Sequence, residues 1–145
     1  MTSLPCSLCS EEGGRVVYRD ALLRVVLVDD ADLPGFARVI VNAHAKEMTD
    51  LDVPARTAVL NAVLLAEEVV RRALDPHKVN VASLGNVVPH VHWHVIPRFT
   101  DDAFFPQPIW GVRQRETQPA LLAARRAKVD ALATALGVAF AAGHA

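Results

Sequence analysis

The sequence predicts a single α+β domain, on three observations. Short β-branched runs alternate with two helical patterns in the order strands, helix, strands, helix. The first three runs stand close enough to form an antiparallel meander. The length, 145 residues, is that of one ordinary domain. With 52% hydrophobic and 21% charged residues, the chain can bury a core and lacks the composition of a disordered one.

Taken in order, residues 1–14 are polar and turn-rich and end in Gly13-Gly14. Arg15–Arg19 and Leu22–Val28 are aliphatic runs split by Asp20-Ala21 and read as a hairpin. Asp29–Gly35 is a loop, and Phe36–Val41 a third strand. Asp52 is placed to cap a helix with Pro54 in its first turn. That helix runs to about Leu74, with Leu60, Val63, Leu64 and Val70 near one face and Glu67, Glu68, Arg71 and Arg72 as solvated charges. Asp75-Pro76 ends it. Lys78–Leu84 and His90–Ile96 are two further strands around the Gly85–Pro89 turn, and Asp101–Gly111 is a Pro-rich loop. A second helix starts near Thr117–Pro119, presents Val129, Leu132, Ala133 and Leu136, and is expected to stop at Gly137.

A formal net charge of −1 argues against a surface for long nucleic acid. No apolar run approaches the ~20 residues of a membrane span, and Met1 to Glu12 has no basic region followed by an apolar one. The expectation is a cytoplasmic protein. In a reducing compartment, Cys6-Ser7-Leu8-Cys9 reads as metal or redox chemistry rather than a disulfide.

The densest chemistry lies in Pro89-His90-Val91-His92-Trp93-His94-Val95-Ile96. In a strand His90, His92 and His94 share one face, while Val91, Trp93 and Val95 share the other and belong to the core. A solvated polar face would be served as well by Thr, Lys or Glu. Same-face positions lie about 7 Å apart, too wide for three ligands on one zinc but suited to a nucleophile with neighbours that hold it. An imidazole nitrogen attacks phosphorus at neutral pH when its other nitrogen donates a proton to a fixed acceptor. Gly85-Asn86 upstream offers amides to an anion.

This run, with Leu84-Gly85-Asn86-Val87-Val88-Pro89 before it and Ala37–His44 earlier, resembles the histidine-triad (HIT) family over roughly residues 6–111. The resemblance implies a single HIT domain over 1–145, built as an antiparallel sheet of about five strands with two helices packed on it. Residues 1–14 would form a zinc-binding loop, and 112–145 a C-terminal tail and helix. It implies a hydrolase acting on a purine nucleoside phosphoramidate or a dinucleoside polyphosphate. His92 would be the nucleotidylated residue, His94 would contact phosphate, and the His90 carbonyl would orient His92. Asn80 stands near the family's phosphate-holding amide. Asp29 or Asp30 falls where the family places an acid on the ribose, and Val25, Leu27 and Phe36 where it places a base slot. These three apolar residues read equally as core.

The resemblance to zinc-containing bacterial-type members maps a structural zinc to Cys6, Cys9, His44 and His90, and it implies a homodimer. Val87 departs from the family's usual Ser or Thr, which leaves proton delivery to the leaving group unassigned unless Ser83 supplies it. A nucleotide-binding interaction protein with little turnover is the alternative. A catalytic zinc on His90, His92 and His94 fits the spacing poorly. His77 and His144 read as ordinary loop and frayed-end residues. Phe104-Phe105 and Ile109-Trp110 either pack on their own domain or reach toward a partner or leaving group.

Overall fold

A computed structural model describes residues 5–144. Met1 to Leu4, part of the expected zinc loop, lie outside the described residues. A short helix α1 (Ser7–Ser10) precedes strands β1 (Arg15–Arg19), β2 (Leu23–Leu27) and β3 (Ala37–Val41). Then follow α2 (Val53–Leu74), β4 (Lys78–Ala82), β5 (His92–Arg98), α3 (Pro119–Arg126) and α4 (Val129–Ala141). The five strands form one sheet in the order β1-β2-β3-β5-β4, every neighbouring pair antiparallel. The expected α+β architecture is therefore present.

Period-two alternation gives the sheet two different faces. Leu23, Val25 and Leu27 of β2, Val39 and Val41 of β3 and Val95 of β5 join α2 and α4 in the main core. Arg24 and Val26, Arg38 and Ile40, and His92 and His94 project to the other face. There Leu8 of the N-terminal segment packs on Val26 and Ile40.

Helix α2 is capped as the sequence suggests. The Asp52 side chain accepts from the Ala55 N–H at 2.9 Å, and Asp75 ends the helix in the left-handed region at φ 47°. Its buried stripe is Val59, Ala62, Val63, Ala66, Val69, Val70 and Leu74. Leu60 and Leu64, expected beside Val63 and Val70, are instead 44% and 60% exposed. The small alanines are what bring α2 close to the sheet, and a hydrophobicity pattern alone does not single them out.

The C-terminal segment departs from expectation. It forms two helices, and α4 runs through Gly137 to Ala141. Gly137 is a packing residue: a Cβ there would meet the Val17 carbonyl oxygen at 3.3 Å, so its absence lets α4 lie close on β1. Nor is His144 at a loose end. Its Nε2 pairs with Asp20 Oδ2 at 2.9 Å, and its ring packs on Tyr18 and Phe140.

The loop after β5 is fixed by a buried ion pair. Arg98 donates through Nε to Asp102 Oδ2 at 2.8 Å and through Nη2 to Oδ1 at 3.1 Å. Asp102 also accepts from the backbone N–H groups of Phe99, Phe104 and Phe105. Burial alone would raise the Asp102 pKa, but Arg98 and these amides outweigh it and hold the carboxyl below its usual range. Its stabilisation is thus present above the unfolded carboxylate pKa and is lost as pH falls through the depressed folded value. Asp102→Asn is expected to destabilise the domain by about 3–5 kcal/mol at pH 7, because it strands a buried arginine. Urea melts should show that gap shrinking toward acid pH, and a gap that is constant down to pH 3 would contradict the assignment.

Candidate active site

Strand β5 begins at His92 rather than His90. The preceding residues are held by other bonds: the His90 N–H donates to the Val88 carbonyl at 2.8 Å and the Val91 N–H to Ala45 at 2.7 Å. His90 is thereby separated from His92 and His94 in environment, although the three follow one another at even spacing.

His90 Nε2 lies 2.6 Å from the Val41 carbonyl, so it carries the proton and leaves the Nδ1 lone pair free. That Nδ1 lies 3.3 Å from Cys6 Sγ and 3.5 Å from Cys9 Sγ, and His44 Nδ1 lies 3.3 Å from Cys9 Sγ. The four side-chain donors are all within 4.8 Å of one another. A tetrahedral zinc with thiolate and imidazole ligands spans S···N edges of about 3.6 Å, so two thiols and two imidazoles at these separations fit such an ion. The cluster can hold a metal. It joins α1 to His90, two residues before β5, and Arg24 reinforces that joint. The Arg24 guanidinium, buried on β2, donates to the carbonyls of Leu8, Glu11 and Glu12 at 2.8, 3.1 and 2.9 Å. Nothing in the sequence distinguishes Arg24 from a surface arginine.

His92 Nδ1 donates to the His90 carbonyl at 2.5 Å. This fixes its tautomer and leaves Nε2 as a lone pair without a protein partner among the described residues. Ser83 Oγ donates to the His92 carbonyl at 2.7 Å, which ties that hydroxyl to the strand. Val87 is 94% exposed at the turn. His94 is buried between rings: it stacks on Phe36 at 5.5 Å, meets Trp110 edge-on at 5.0 Å and His92 at 5.0 Å. Burial, then the neighbouring His92 and Arg38, lower its pKa to about 4, so it is neutral at physiological pH.

The residues expected to bind substrate fall in separate places. Phe36 reaches the triad face, where it packs with Ile96, Leu33, Val28 and Ile109. Leu27 and Val25 do not, because they alternate onto the helix side. Asp29 and Asp30 line a cavity of about 430 Å³ with Leu27, Val28 and Arg126. Asp30 Oδ1 accepts from the Asp32 and Leu33 N–H groups. Asn80 stands on β4 opposite Ile96, on the triad face, where its Oδ1 accepts from Arg98 Nη1 at 2.7 Å. Gly85 turns the chain at φ 90°, and Asn86 lines a cavity of about 710 Å³ beside Cys6, Cys9 and His44. Ile96 is not among the expected substrate contacts, and Trp110, expected to pack on its own domain or to reach toward a partner or leaving group, packs on His94. The alternation that selects His92 and His94 extends to Ile96, whereas Trp110 is brought there by a loop no local pattern describes.

Residues 10–101 match the family model of the HIT domain. An AP-4-A phosphorylase of Mycobacterium tuberculosis is 31% identical over 102 residues, covering 66% of this chain and 52% of that protein. An asymmetrical bis(5'-nucleosyl)-tetraphosphatase of Schizosaccharomyces pombe is 29% identical over 91 residues, 59% of this chain and 50% of that protein. The chain thus spans about half the length of the curated relatives it matches. Among solved structures, a histidine triad protein from Bradyrhizobium japonicum superposes with a TM-score of 0.65 at 29% identity, covering 81% of this chain and 92% of that one. A histidine triad protein from Marinobacter aquaeolei VT8 superposes with a TM-score of 0.67 at 25% identity, covering 86% and 92%.

Proposed function

The chain belongs to the HIT domain family, and from that premise we propose that it is a nucleotide hydrolase whose nucleotidyl intermediate forms on His92. One observation supports the reading: His92 Nδ1 donates to the His90 carbonyl, which selects the tautomer whose Nε2 carries the lone pair, and no protein group among the described residues pairs with that Nε2. Its lone pair forms an N–P bond to the α-phosphorus of a nucleoside phosphoramidate or dinucleoside polyphosphate. The P–N or P–O bond to the leaving group breaks as that group takes up a proton. Water then attacks phosphorus and gives up a proton to solvent, the N–P bond breaks with its electron pair returning to Nε2, and the nucleoside monophosphate leaves. His94, being neutral, contributes a hydrogen bond to phosphate. A purine base would lie against the apolar flank of His94 formed by Phe36, Ile96 and Trp110, with Asp30 the candidate acid for the ribose.

Cys6, Cys9, His44 and His90 are the proposed zinc ligands, and a bound zinc would serve structurally, securing the N-terminal segment to the triad. We also propose a homodimer in which β4, one of the two edge strands of the sheet, pairs with a second copy. Its exposed Val81 and the following Leu84 suit that contact.

The second reading, a nucleotide-binding protein with little turnover, is favoured by one feature. Val87 offers no hydroxyl to the leaving group, and Ser83 is already engaged. Product analysis separates the two. Diadenosine tetraphosphate and adenosine phosphoramidate are each incubated with the protein, with and without inorganic phosphate. The hydrolase reading expects AMP from at least one substrate without phosphate. ADP formed only with phosphate would make the protein a phosphorylase instead. Tight nucleotide binding with no product from either substrate would leave the binding-protein reading standing.

A further inference from the structure

Four arginines project to the triad face of the sheet; Arg19 pairs with Glu12, and two others are fully engaged. Arg24 is held by three carbonyls, and Arg98 by Asp102, Asn80 and the Gln107 carbonyl. Arg38 is different. It stands on β3 directly opposite His94 of β5 and is half-buried. Its Nη1 donates to the Gly13 carbonyl at 3.2 Å, and its guanidinium lies 5.4 Å from the centroid of the Phe36 ring. Its Nε is buried without an acceptor, and no ion pair forms with it among the described residues. Asp30 acts on it only at longer range.

A guanidinium has five donors. One that gives up hydration for a single protein hydrogen bond and no counter-ion is costly as a structural element. The same arrangement is favourable where a ligand's oxyanion completes it, because charge-assisted bonds to phosphate are about twice as strong as neutral ones. We infer that Arg38 is a substrate-binding residue whose guanidinium pairs with a phosphate oxygen of the nucleotide seated at His92 and His94. The charge comes from a strand flanked by buried residues, so it is fixed before substrate arrives. This inference rests on the nucleotide reading above, and its test uses binding rather than turnover, so the two can fail separately.

The test is calorimetric titration of AMP and of adenosine into the wild type, Arg38→Met and Arg38→Gln at low ionic strength. Adenosine lacks the phosphate, so its binding reports whether each variant keeps the nucleoside site folded. We expect both variants to lose about tenfold or more in AMP affinity while adenosine binding changes less than about twofold. Unchanged AMP affinity in either folded variant would overturn the assignment. So would equal losses for AMP and adenosine, which would place Arg38 at the base. A wild type that binds neither ligand would overturn the nucleotide reading itself, and Arg38 with it.

Discussion

His92→Ala is expected to reduce turnover on the order of 10³-fold or more, since it removes the nitrogen proposed to form the covalent bond. The variant should stay folded: His92 lies at the start of β5, and the β3–β5 ladder is made by backbone groups its side chain does not touch. The measurements are kcat at saturating substrate, together with a circular dichroism melt. His94→Ala should fall less far, because a neutral imidazole that contacts phosphate supplies binding and orientation but no bond to phosphorus. The order matters as much as the size. If His94→Ala were the more damaging, His94 would be the nucleophile and the Nδ1 bond of His92 to the His90 carbonyl would be only structural.

The second large effect concerns the cysteine–histidine cluster. Metal analysis of freshly purified protein that has not met a chelator is expected to give one zinc per chain. Cys6→Ser should abolish that stoichiometry and lower the melting temperature by roughly 10 °C, given that 1 kcal/mol shifts a domain of this size by about 2–4 °C. The cost is smaller than for a zinc finger, whose fold depends on the ion, because this domain has a separate core on the other face of the sheet. Hydrogen exchange should quicken around α1 and the 85–91 turn and stay slow in α2. The bond-making step should suffer less than stability, because the His90 carbonyl that orients His92 is also held by the backbone bonds of His90 to Val88 and of Val91 to Ala45, which need no ion. Metal-free protein with an unchanged melt would contradict a structural ion.

Local chemistry explains which parts of this architecture are readable in the chain. Strand positions follow from β-branched runs, and the ends of α2 from Asp52 and Asp75, because those signals act on neighbouring residues. The face on which a residue lies is harder. Leu27 and Val26 differ by one position and face opposite sides of the sheet, and only strand pairing decides which side meets the triad. Gly137 looks like a helix stop until α4 is seen against Val17. Asn80 stands near the position of the family's phosphate-holding amide, with a turn to the triad one residue short, and Arg98, eighteen residues away, donates to its oxygen. Arg38 carries no local signal whatever. It becomes distinctive only when β3 is paired with β5 and its missing partners can be counted.

The proposed intermediate is a covalent bond at one nitrogen of one histidine, and mass spectrometry of an acid-free rapid quench detects it directly. The protein is mixed with excess adenosine phosphoramidate, stopped within a single turnover, digested and mapped. A mass increase of one adenylyl group is expected on the peptide containing His92, absent in His92→Ala and decaying as AMP appears. An adduct on His94, or steady AMP release with no adduct at any time in the first turnover, would contradict it.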